Sequence, residues 1–501
     1  MHQAKMAQKQ TELAKTAVGN PEHRFANLYS LMHWEYWITQ AAETVLKRPG
    51  SETAGVDGQT RNAFKRTYKA EISGLVDSLK RKTYRPQPVR RTFIPKKDGG
   101  KRPLGIPVLR DRIVQEALRA ILDPIYESDF CHHSYGFRKG RCTMDAIAEM
   151  MPMFNTSTKY YYVIEGDIKS YFDTVQHEKL LRILKKRIAD RDIIDLIDKF
   201  LNAGVMEGSL FAKTATGVPQ GGVISPLLAN VYLHQLDKWA EERWNITRNQ
   251  RQQNRLKGRG NYKLIRYADD FVILSNDRIA GVQAVKQEVK EFLSRELHLE
   301  LSEKKTTLIH LNDGFTFLGF HIQRVQSKGK WAVHLRPSQE AKEQIKATIK
   351  TLTDGQDVMR SEYAKLTEIN EVIRGWAEYY RYTSLLQDIV EIVGYTNLRY
   401  LLWLRKKHKG KRKDQLYQAK TKVIYNTKRW VAETRQGEKK LSVYQWQPTP
   451  KELKRTRYMQ KGRDGFPHPY LPREMLEPTQ GRAGCGESRT SGSGRGVEKR
   501  T

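Results

Sequence analysis

The stretch at residues 262–275 reads YKLIRYADDFVILS, two apolar runs on either side of the acidic pair Asp269 and Asp270. Short apolar runs rich in β-branched and aromatic residues predict two strands that turn back on each other at the acidic pair. Aspartate is unfavourable in strands and common in turns, so the pair alone indicates a solvated hairpin turn more often than a functional site.

A third carboxylate, in a separate motif, favours the functional site over the solvated turn. Asp167 lies at the end of another apolar run, in YVIEGDIKSYFD. If the two strands lie side by side, Asp167 and Asp269 come within reach of shared divalent ions, which prefer carboxylate and phosphate oxygens. Two such ions, about 3.5 to 4 Å apart, would activate a hydroxyl and stabilise the leaving oxygen of a phosphoryl transfer. The aspartates together therefore predict a phosphoryl-transfer site.

A basic hairpin is predicted by IPKKDGGKRPLGIP, at residues 94–107. It carries Lys96, Lys97, Lys101 and Arg102, which are suitable cationic donors for a triphosphate. Taken alone, such a hairpin is more often a solvated loop or a general phosphate contact.

A glycine-rich loop, GVPQGG at residues 217–222, precedes a helical pattern. Its glycines allow a close approach of the backbone to a ligand, and the Gln220 amide could hydrogen-bond to a sugar or a base. Most glycine-rich loops are only turns, so this segment has meaning chiefly beside the other motifs.

The 501-residue chain carries a formal net charge of +33, with 39% hydrophobic and 10% aromatic residues. This charge predicts a polyanionic partner, most simply a nucleic acid. The apolar content excludes a disordered basic protein and indicates a folded one. Residues 401–501 hold about 26 Lys and Arg against about 9 Asp and Glu, so about half of the net charge is concentrated there.

Cysteine content and hydropathy restrict the compartment. Cys131, Cys142 and Cys485 form no CxxC pair and are too few for a disulfide framework, which favours a reducing environment over a secreted one. The sequence has no long apolar stretch and no apolar core of a signal peptide near its start. We therefore expect no membrane partner and a cytoplasmic, nucleoid-associated location.

The secondary-structure patterns predict an α+β fold. Strand and helix patterns alternate up to about residue 330, and mainly helical spacing follows. The first 20 residues are polar and are predicted to be mobile. The final 20 are rich in Gly, Ser and Arg and are predicted to be disordered.

Six motifs occur together in one order: RPLGIP, SYGFRKGR, DIKSYFD, PQGGVISPLLANVYL, YADD and FLGF. Together they resemble the group II intron-encoded reverse transcriptases/maturases, from about Arg24 to about Phe466. AGVDGQT resembles the additional N-terminal block of that family, and VIRGWAEYYR resembles its maturase segment. The resemblance implies a right-hand polymerase fold, with fingers and an antiparallel palm sheet, followed by a helical thumb and maturase domain and a basic C-terminal tail.

The resemblance also implies a division of the chain. The implied parts are a flexible N-terminus (1–20), an N-terminal extension of the fingers (21–82), the reverse transcriptase fingers and palm (83–330), a helical thumb and maturase domain (331–440), a basic DNA-binding-like region (441–475) and a disordered tail (476–501). Many relatives carry an HNH endonuclease with clustered histidines and paired cysteines. We expect no such domain here, because no such cluster follows Tyr470.

Site residues follow from the resemblance position by position. Asp167, Asp269 and Asp270 are implied as the catalytic residues and as ligands of two Mg²⁺ ions. Phe172 matches an aromatic gate against a ribonucleotide 2′-hydroxyl, with a core aromatic as the alternative. Contacts to the dNTP are further implied for Lys96, Arg102 and Gln220, and a primer grip for Leu318, Gly319 and Phe320.

Basic and aromatic residues beyond residue 370 are candidates for RNA binding, because aromatic rings can stack on bases and cations neutralise phosphates. Trp376 and Tyr380 lie four residues apart, however, and are more simply explained as packing on one helix face. The candidates are Arg374, Tyr379, Arg381, Arg405, Lys406 and Lys407.

The function implied is an RNA-directed DNA polymerase and maturase. Such a protein would bind group II intron RNA, assist its splicing, and copy it from dNTPs during retrohoming into target DNA. Two alternatives stay open: a splicing-only maturase whose polymerase has decayed, and a domesticated reverse transcriptase in DNA repair or phage defence. No pattern in the sequence predicts the oligomeric state.

Overall fold

The computed structural model of the protein describes most of the chain up to residue 442 and a short segment near the C-terminus. The described residues are 2–95, 99–154, 158–208, 210–212, 216–219, 221–327, 329–354, 357–385, 387–424, 427–433, 440–442 and 468–471. The predicted basic region at 441–475 and the predicted tail at 476–501 lie almost entirely outside these residues.

Helices and strands are mixed along the described residues, so the predicted α+β class is confirmed. The helices are α1 (His2–Gly19), α2 (Tyr29–Met32), α3 (Glu35–Lys47), α4 (Arg61–Arg66), α5 (Tyr68–Lys80), α6 (Leu109–Asp129), α7 (Thr143–Met150), α8 (Tyr171–Thr174), α9 (His177–Arg187), α10 (Arg191–Leu201), α11 (Ser225–Trp244), α12 (Arg248–Leu256), α13 (Ile279–Leu297), α14 (Gln339–Asp354), α15 (Glu362–Tyr379), α16 (Gln387–Lys407) and α17 (Lys413–Lys420). The strands are β1 (Val89–Pro95), β2 (Lys101–Ile106), β3 (Tyr162–Gly166), β4 (Val205–Glu207), β5 (Leu210–Ala212), β6 (Tyr262–Tyr267), β7 (Asp270–Ser275), β8 (Leu308–His310), β9 (Phe315–Phe317), β10 (Phe320–Ser327), β11 (Lys330–Pro337), β12 (Thr421–Ile424), β13 (Thr427–Glu433) and β14 (Lys440–Ser442).

The central sheet has the order β6-β7-β3-β8 and is antiparallel throughout. Alternate side chains of a strand point to opposite faces, and here both faces are covered. Ile164 and Ile273 pack in a core with the N-terminal helices, α11 and α13, whereas Val163 and Val272 pack in a second core with Phe315 and its neighbours. Burial on both sides explains why these strands are continuously apolar in sequence.

The predicted hairpin at 94–107 is confirmed as the antiparallel pair β1 and β2. A parallel pairing of β1 with the short strand β4 extends it into a sheet of order β2-β1-β4-β5. The tip of the hairpin at 96–98 lies outside the described residues.

The prediction of a mobile N-terminus is wrong for residues 2–19, which form α1. The polar residues lie on its exposed face, while Leu13, Ala14 and Ala17 recur at helical spacing and are buried. Gln10 Nε2 also donates to the carbonyl oxygen of Ala120 on α6, at 2.8 Å. Because residues 2–19 are polar on average, their sequence did not reveal the narrow apolar stripe of α1 that packs against α6.

The predicted boundary at residue 330 also needs correction. Residue 330 begins β11, which pairs along its whole length with β10, and the helical region starts only at Gln339. The boundary therefore follows the hairpin, near Ser338. Beyond it, α14, α15 and α16 form a separate core around Ile349, Ile373 and Trp403.

The polar segment between PQGGVISPLLANVYL and YADD includes the helix α12, and none of the side chains of α12 is buried. No helix among the described residues is both long and apolar enough to cross a bilayer.

Candidate active site

The three aspartates lie at one end of the central sheet. The antiparallel register pairs Gly166 with Phe271, and Tyr267 with Asp270. Asp167, which follows Gly166, is therefore beside the turn at 268–270 that joins β6 to β7. The structure thus brings the carboxylates of two sequence motifs, about 100 residues apart, to the same edge.

The carboxylates of this acidic cluster, defined as Asp167, Asp269 and Asp270, influence one another. Loss of hydration among the surrounding protein atoms, and the neighbouring charges of Asp269 and Asp167, raise the pKa of Asp270 to about 6. The same two causes, with Asp167 as the neighbour, raise the pKa of Asp269. The raised pKa values mean that Asp269 and Asp270, beside Asp167, ionise less readily than isolated carboxylates in water.

The charges of Lys305 and Arg102 act on the acidic cluster. Lys305 Nζ lies 3.4 Å from Asp167 Oδ2, and its side chain is mostly exposed. The charge of Arg102, on β2, lowers the pKa values of both Asp269 and Asp270 in part. The predicted hairpin residue Arg102 is therefore near enough to influence these two aspartates.

A buried arginine, which the sequence reasoning missed, supports the turn at 268–270. Arg266 on β6 is fully buried and forms a two-pronged ion pair with Asp237 on α11, with Nε 2.7 Å from Oδ1. Its guanidinium also donates to the Ala268 carbonyl oxygen at 2.8 Å, and to Asn230 and Ser134. The sequence did contain a signal for this residue, namely a charged side chain in the middle of the apolar run LIRYADD. Because buried charges are almost always paired, such an arginine predicts a buried acidic partner.

The SYGFRKGR loop approaches the same turn. A Cβ atom on Gly136 would collide with the backbone nitrogen of Ala268, so glycine permits this approach. The next residue, Phe137, is more than half exposed and meets Phe172 edge to face, with ring centroids 6.4 Å apart. Phe172 is half-buried and packs against the core that contains Ile164 and Ile273, so the core-aromatic alternative stays open and the gate role remains a prediction.

The glycine-rich loop packs against the segment that carries Phe172. Val218 N donates to the Phe172 carbonyl oxygen at 2.7 Å. Gly221 has a positive φ of 111°, and a Cβ atom there would collide with the Gly105 carbonyl oxygen on β2. This loop therefore contacts both the Phe172 segment and the basic hairpin.

Two predicted nucleotide contacts, Lys96 and Gln220, lie outside the described residues. The predicted primer-grip residues form a tight turn between β9 and β10, where Leu318 and Gly319 have φ values of 51° and 79°. This turn is held by the following helical region, since Tyr379 Oη donates to the Leu318 carbonyl oxygen at 2.9 Å.

The six RNA-binding candidates fall into different environments. Arg374, Arg405 and Lys406 are exposed, whereas Tyr379 stacks on Phe320 and Lys407 donates to the Val358 carbonyl oxygen at 2.7 Å. Two candidates form ion pairs: Lys406 Nζ lies 3.7 Å from Asp354 Oδ1, and Arg381 Nη1 lies 2.9 Å from Glu378 Oε2. Tyr380 is buried and contacts Trp376, which favours the packing interpretation of that pair.

Two protein-family models match successive segments of the chain. Residues 94–322 match the model of "Reverse transcriptase (RNA-dependent DNA polymerase)", and residues 342–422 match "Group II intron, maturase-specific domain". The gap between the two matches includes Ser338, where the hairpin ends and the helical region begins.

Curated relatives extend over most of the chain. The group II intron-encoded protein LtrA of Lactococcus lactis subsp. cremoris is 31% identical over 429 residues, which cover 76% of this chain and 70% of that protein. The chain belongs to the group II intron-encoded reverse transcriptase/maturase family. Protein YkfC of Escherichia coli K12 is 38% identical over 341 residues, covering 64% of this chain and 90% of YkfC.

The resemblance read from the six motifs is therefore confirmed at the level of the family. A putative COX1/OXI3 intron 1 protein of Saccharomyces cerevisiae is also similar, with 31% identity over 341 residues, 60% of this chain and 40% of that protein. The reverse transcriptase match includes the acidic cluster, Arg102 and Arg266, and the maturase match begins within α14.

Proposed function

We propose that this group II intron reverse transcriptase/maturase is an active RNA-directed DNA polymerase that also assists splicing of its intron RNA and copies it into DNA during retrohoming. The observation that carries the polymerase part is the acidic cluster, in which the register of β3, β6 and β7 brings carboxylates of two distant motifs to one edge of the sheet. Burial and the neighbouring carboxylates raise the pKa values of Asp269 and Asp270. A decayed polymerase has no need to keep these charges together.

Two Mg²⁺ ions suit this cluster. Its donors are hard carboxylate oxygens, and a bound cation would offset the burial and the neighbouring negative charges that raise the pKa values of Asp269 and Asp270. In the described residues, no three or more His, Cys, Asp or Glu side chains are close enough to enclose an ion by themselves. Mg²⁺ commonly completes its shell with water and substrate phosphates. When bound, the ions would lower the pKa of the primer hydroxyl and stabilise charge on the leaving oxygen.

The other residues of the site would bind and orient the nucleotide. Arg102, whose charge influences Asp269 and Asp270, would bind the triphosphate of a dNTP, together with Lys96. Phe172 would exclude a 2′-hydroxyl, and its contact with Phe137 would hold the ring in place. Gln220 would lie against the sugar.

We assign the parts of the chain accordingly. Residues 21–82 would extend the fingers, residues 83–338 would form fingers and palm, and the helices from α14 onward would form the thumb and maturase domain. The turn of Leu318, Gly319 and Phe320 would grip the primer, and its bond from Tyr379 would couple it to the thumb.

Intron RNA and target DNA would bind to the basic surfaces. Among the RNA-binding candidates, the exposed Arg374, Arg405 and Lys406 are the best placed to reach phosphates. Tyr379 and Lys407 would act indirectly, because their polar groups hold the Leu318 turn and the Val358 segment.

The decisive experiment replaces one carboxylate. Asp269→Ala should reduce dNTP incorporation on an RNA template by about a thousandfold or more, because one ligand of the catalytic ions is lost. Assistance to intron splicing should persist. Primer extension with Mg²⁺ and splicing of the intron RNA are measured on the same protein preparation.

Asp313→Ala is a suitable control, since this aspartate lies in a turn outside the acidic cluster. A wild-type protein that extends no primer would contradict the polymerase proposal. Splicing assistance without primer extension would favour the splicing-only maturase.

A further inference from the structure

A cleft of about 410 Å³ opens between α9, α11 and α13, on residues that do not belong to the acidic cluster. Its size is in the range of pockets that bind small organic groups. The end of α6 closes one side through Tyr126 and Asp129. None of the sequence motifs pointed to this cleft.

The lining of the cleft holds five Lys and Arg side chains against the three carboxylates of Asp129, Glu242 and Glu296. At the rim, Arg182, Lys186 and Lys238 are exposed, and none of them forms an ion pair with any other described residue. Two other cations of the wall form ion pairs. Arg187 Nε lies 2.8 Å from Asp129 Oδ2, and Lys179 Nζ lies 3.9 Å from Glu296 Oε2. The three rim cations are therefore available to an anionic ligand, such as a phosphate.

The floor of the cleft is aromatic and aliphatic. Trp239 and Phe292 lie with ring centroids 5.2 Å apart, and Val231 and Leu297 are buried beside them. Trp239 is itself 8% exposed, and the guanidinium of Arg243 lies over its ring, with Cζ 4.6 Å from the ring centroid. The half-buried ring of Phe292 is therefore the aromatic surface that the cleft offers to a nucleobase, and every base has a face that can stack on such a ring. A ligand with both phosphate and an aromatic ring would match the rim and the floor together.

A buried histidine in the wall of the cleft has a ring nitrogen that could accept a hydrogen bond from a ligand. His234 is 5% exposed, and its Nε2 has no hydrogen-bond partner among the described residues. Its Nδ1 faces Asp237 at 3.9 Å, and that carboxylate favours a proton on Nδ1. Nε2 is then left as an acceptor, which suits a hydroxyl donor of a ligand once the overlying wall atoms shift to admit it.

We propose that this cleft binds one nucleotide of a single-stranded stretch of RNA. The phosphate would lie on Arg182, Lys186 and Lys238, the base would pack against Phe292, and a ribose hydroxyl would donate to His234. This site rests on the RNA-binding part of the proposed function, and it is independent of the polymerase activity.

The test compares two matched double variants of the full-length protein. Lys186→Gln/Lys238→Gln removes two rim charges, whereas Lys185→Gln/Lys257→Gln removes two exposed charges outside the cleft. Both pairs lower the net charge equally, so a general electrostatic effect would be the same in both. Binding of a fluorescent single-stranded 12-mer RNA is measured by anisotropy over a series of salt concentrations.

The rim pair should weaken RNA binding by about tenfold and reduce the slope of log affinity against log salt by about one to two units. The control pair should change affinity less than about twofold. Equal losses in both pairs would overturn the cleft assignment alone, and a wild type that binds no RNA would overturn the RNA part of the proposed function as well. Primer extension is followed separately, so failure of the polymerase proposal is recognised independently.

A second measurement locates the nucleotide directly. The same RNA carrying 4-thiouridine should crosslink to α9, α11 or α13, and crosslinks only elsewhere would contradict the site. His234→Phe should weaken binding of the RNA more than binding of a DNA 12-mer of the same sequence, because only RNA offers the 2′-hydroxyl. An equal effect on RNA and DNA would exclude the assigned role of His234.

Discussion

At the scale of single residues, Arg266 is the link between the core and the candidate active site. Its guanidinium connects Asp237 on α11 to the Ala268 carbonyl oxygen, which precedes the two aspartates of the turn. The ion pair holds the pKa of Asp237 far below its usual range, despite full burial. The position of the turn that carries Asp269 therefore depends on a charge that is remote from solvent.

Removing this arginine should be strongly destabilising. Arg266→Ala leaves Asp237 buried without its partner, and the free energy of unfolding should fall by about 3 to 5 kcal/mol. The double variant Arg266→Met/Asp237→Leu should lose less, because no charge is left unpaired. Urea denaturation followed by circular dichroism measures these differences.

Lys169→Ala provides the control, since Lys169 pairs with Glu300 at 3.3 Å on the exposed surface. Surface pairs of this kind contribute about 0 to 1 kcal/mol. If Arg266→Ala and Lys169→Ala were equally destabilising, the supporting role of Arg266 would be wrong.

At the scale of elements, the glycine-rich loop fits against β2 only because Gly221 lacks a side chain. Its φ of 111° and the nearby Gly105 carbonyl oxygen both exclude a Cβ atom. The loop reaches Phe172 on its other side. A change at Gly221 should therefore displace the groups that are proposed to bind the nucleotide.

We expect Gly221→Ala to raise the KM for dNTP by about tenfold and to destabilise the fold by about 1 to 3 kcal/mol, through backbone strain and displacement of the loop. Steady-state primer extension and urea denaturation give the two values. Gly258→Ala is the matched control, because Gly258 has a positive φ of 67° but open space at its Cβ position. It should lose stability without a change in KM. An unaltered KM in Gly221→Ala would refute the positioning argument.

The segment at 468–471 packs on α6, far from it in sequence. Tyr470 Oη donates to Asp123 at 2.5 Å, and His468 Nε2 lies 3.0 Å from Ser128 Oγ. Burial and the charge of Arg138 lower the pKa of His468 from 6.5 to about 4. The charge of Arg141 also lowers this pKa, whereas the charge of Asp123 raises it.

This contact should weaken in acid. Because the pKa of His468 is lower in the folded state than in the unfolded state, the protein binds that proton less well when folded. Its stabilising contribution is complete above about pH 6.5 and is lost as the pH falls towards 4. Hydrogen exchange of residues 468–471, corrected for the intrinsic effect of pH, should show lower protection at pH 5 than at pH 7.

His468→Phe should remove this pH dependence, since no titrating group remains at the position. Equal loss of protection in wild type and His468→Phe would mean that another group is responsible.

At the scale of the whole molecule, the net charge of +33 should control how strongly the protein binds RNA. Release of counterions makes affinity fall with salt in proportion to the number of phosphates contacted. Between 50 and 200 mM salt we expect a loss of about tenfold or more for even a few contacts. Filter binding with intron RNA measures this slope, and a flat salt dependence would contradict the electrostatic interpretation.

The amino-acid sequence by itself determined the α+β class, the hairpins at β1–β2 and β6–β7, and the membership of the family. These features depend on local patterns: alternating or continuous apolar runs, glycine at turns, and short motifs in a fixed order. The sequence also singled out Asp167, Asp269 and Asp270 as a candidate site, because each stands beside one end of an apolar strand.

Only the tertiary structure decided which residues support and surround those motifs. The packing of α1 on α6, the continuation of the β10–β11 hairpin past residue 330, the burial of Arg266, and the cleft beside His234 all depend on contacts between distant segments. Burial and pairing are set by the neighbours that the fold brings together, and sequence patterns report only the neighbours along the chain.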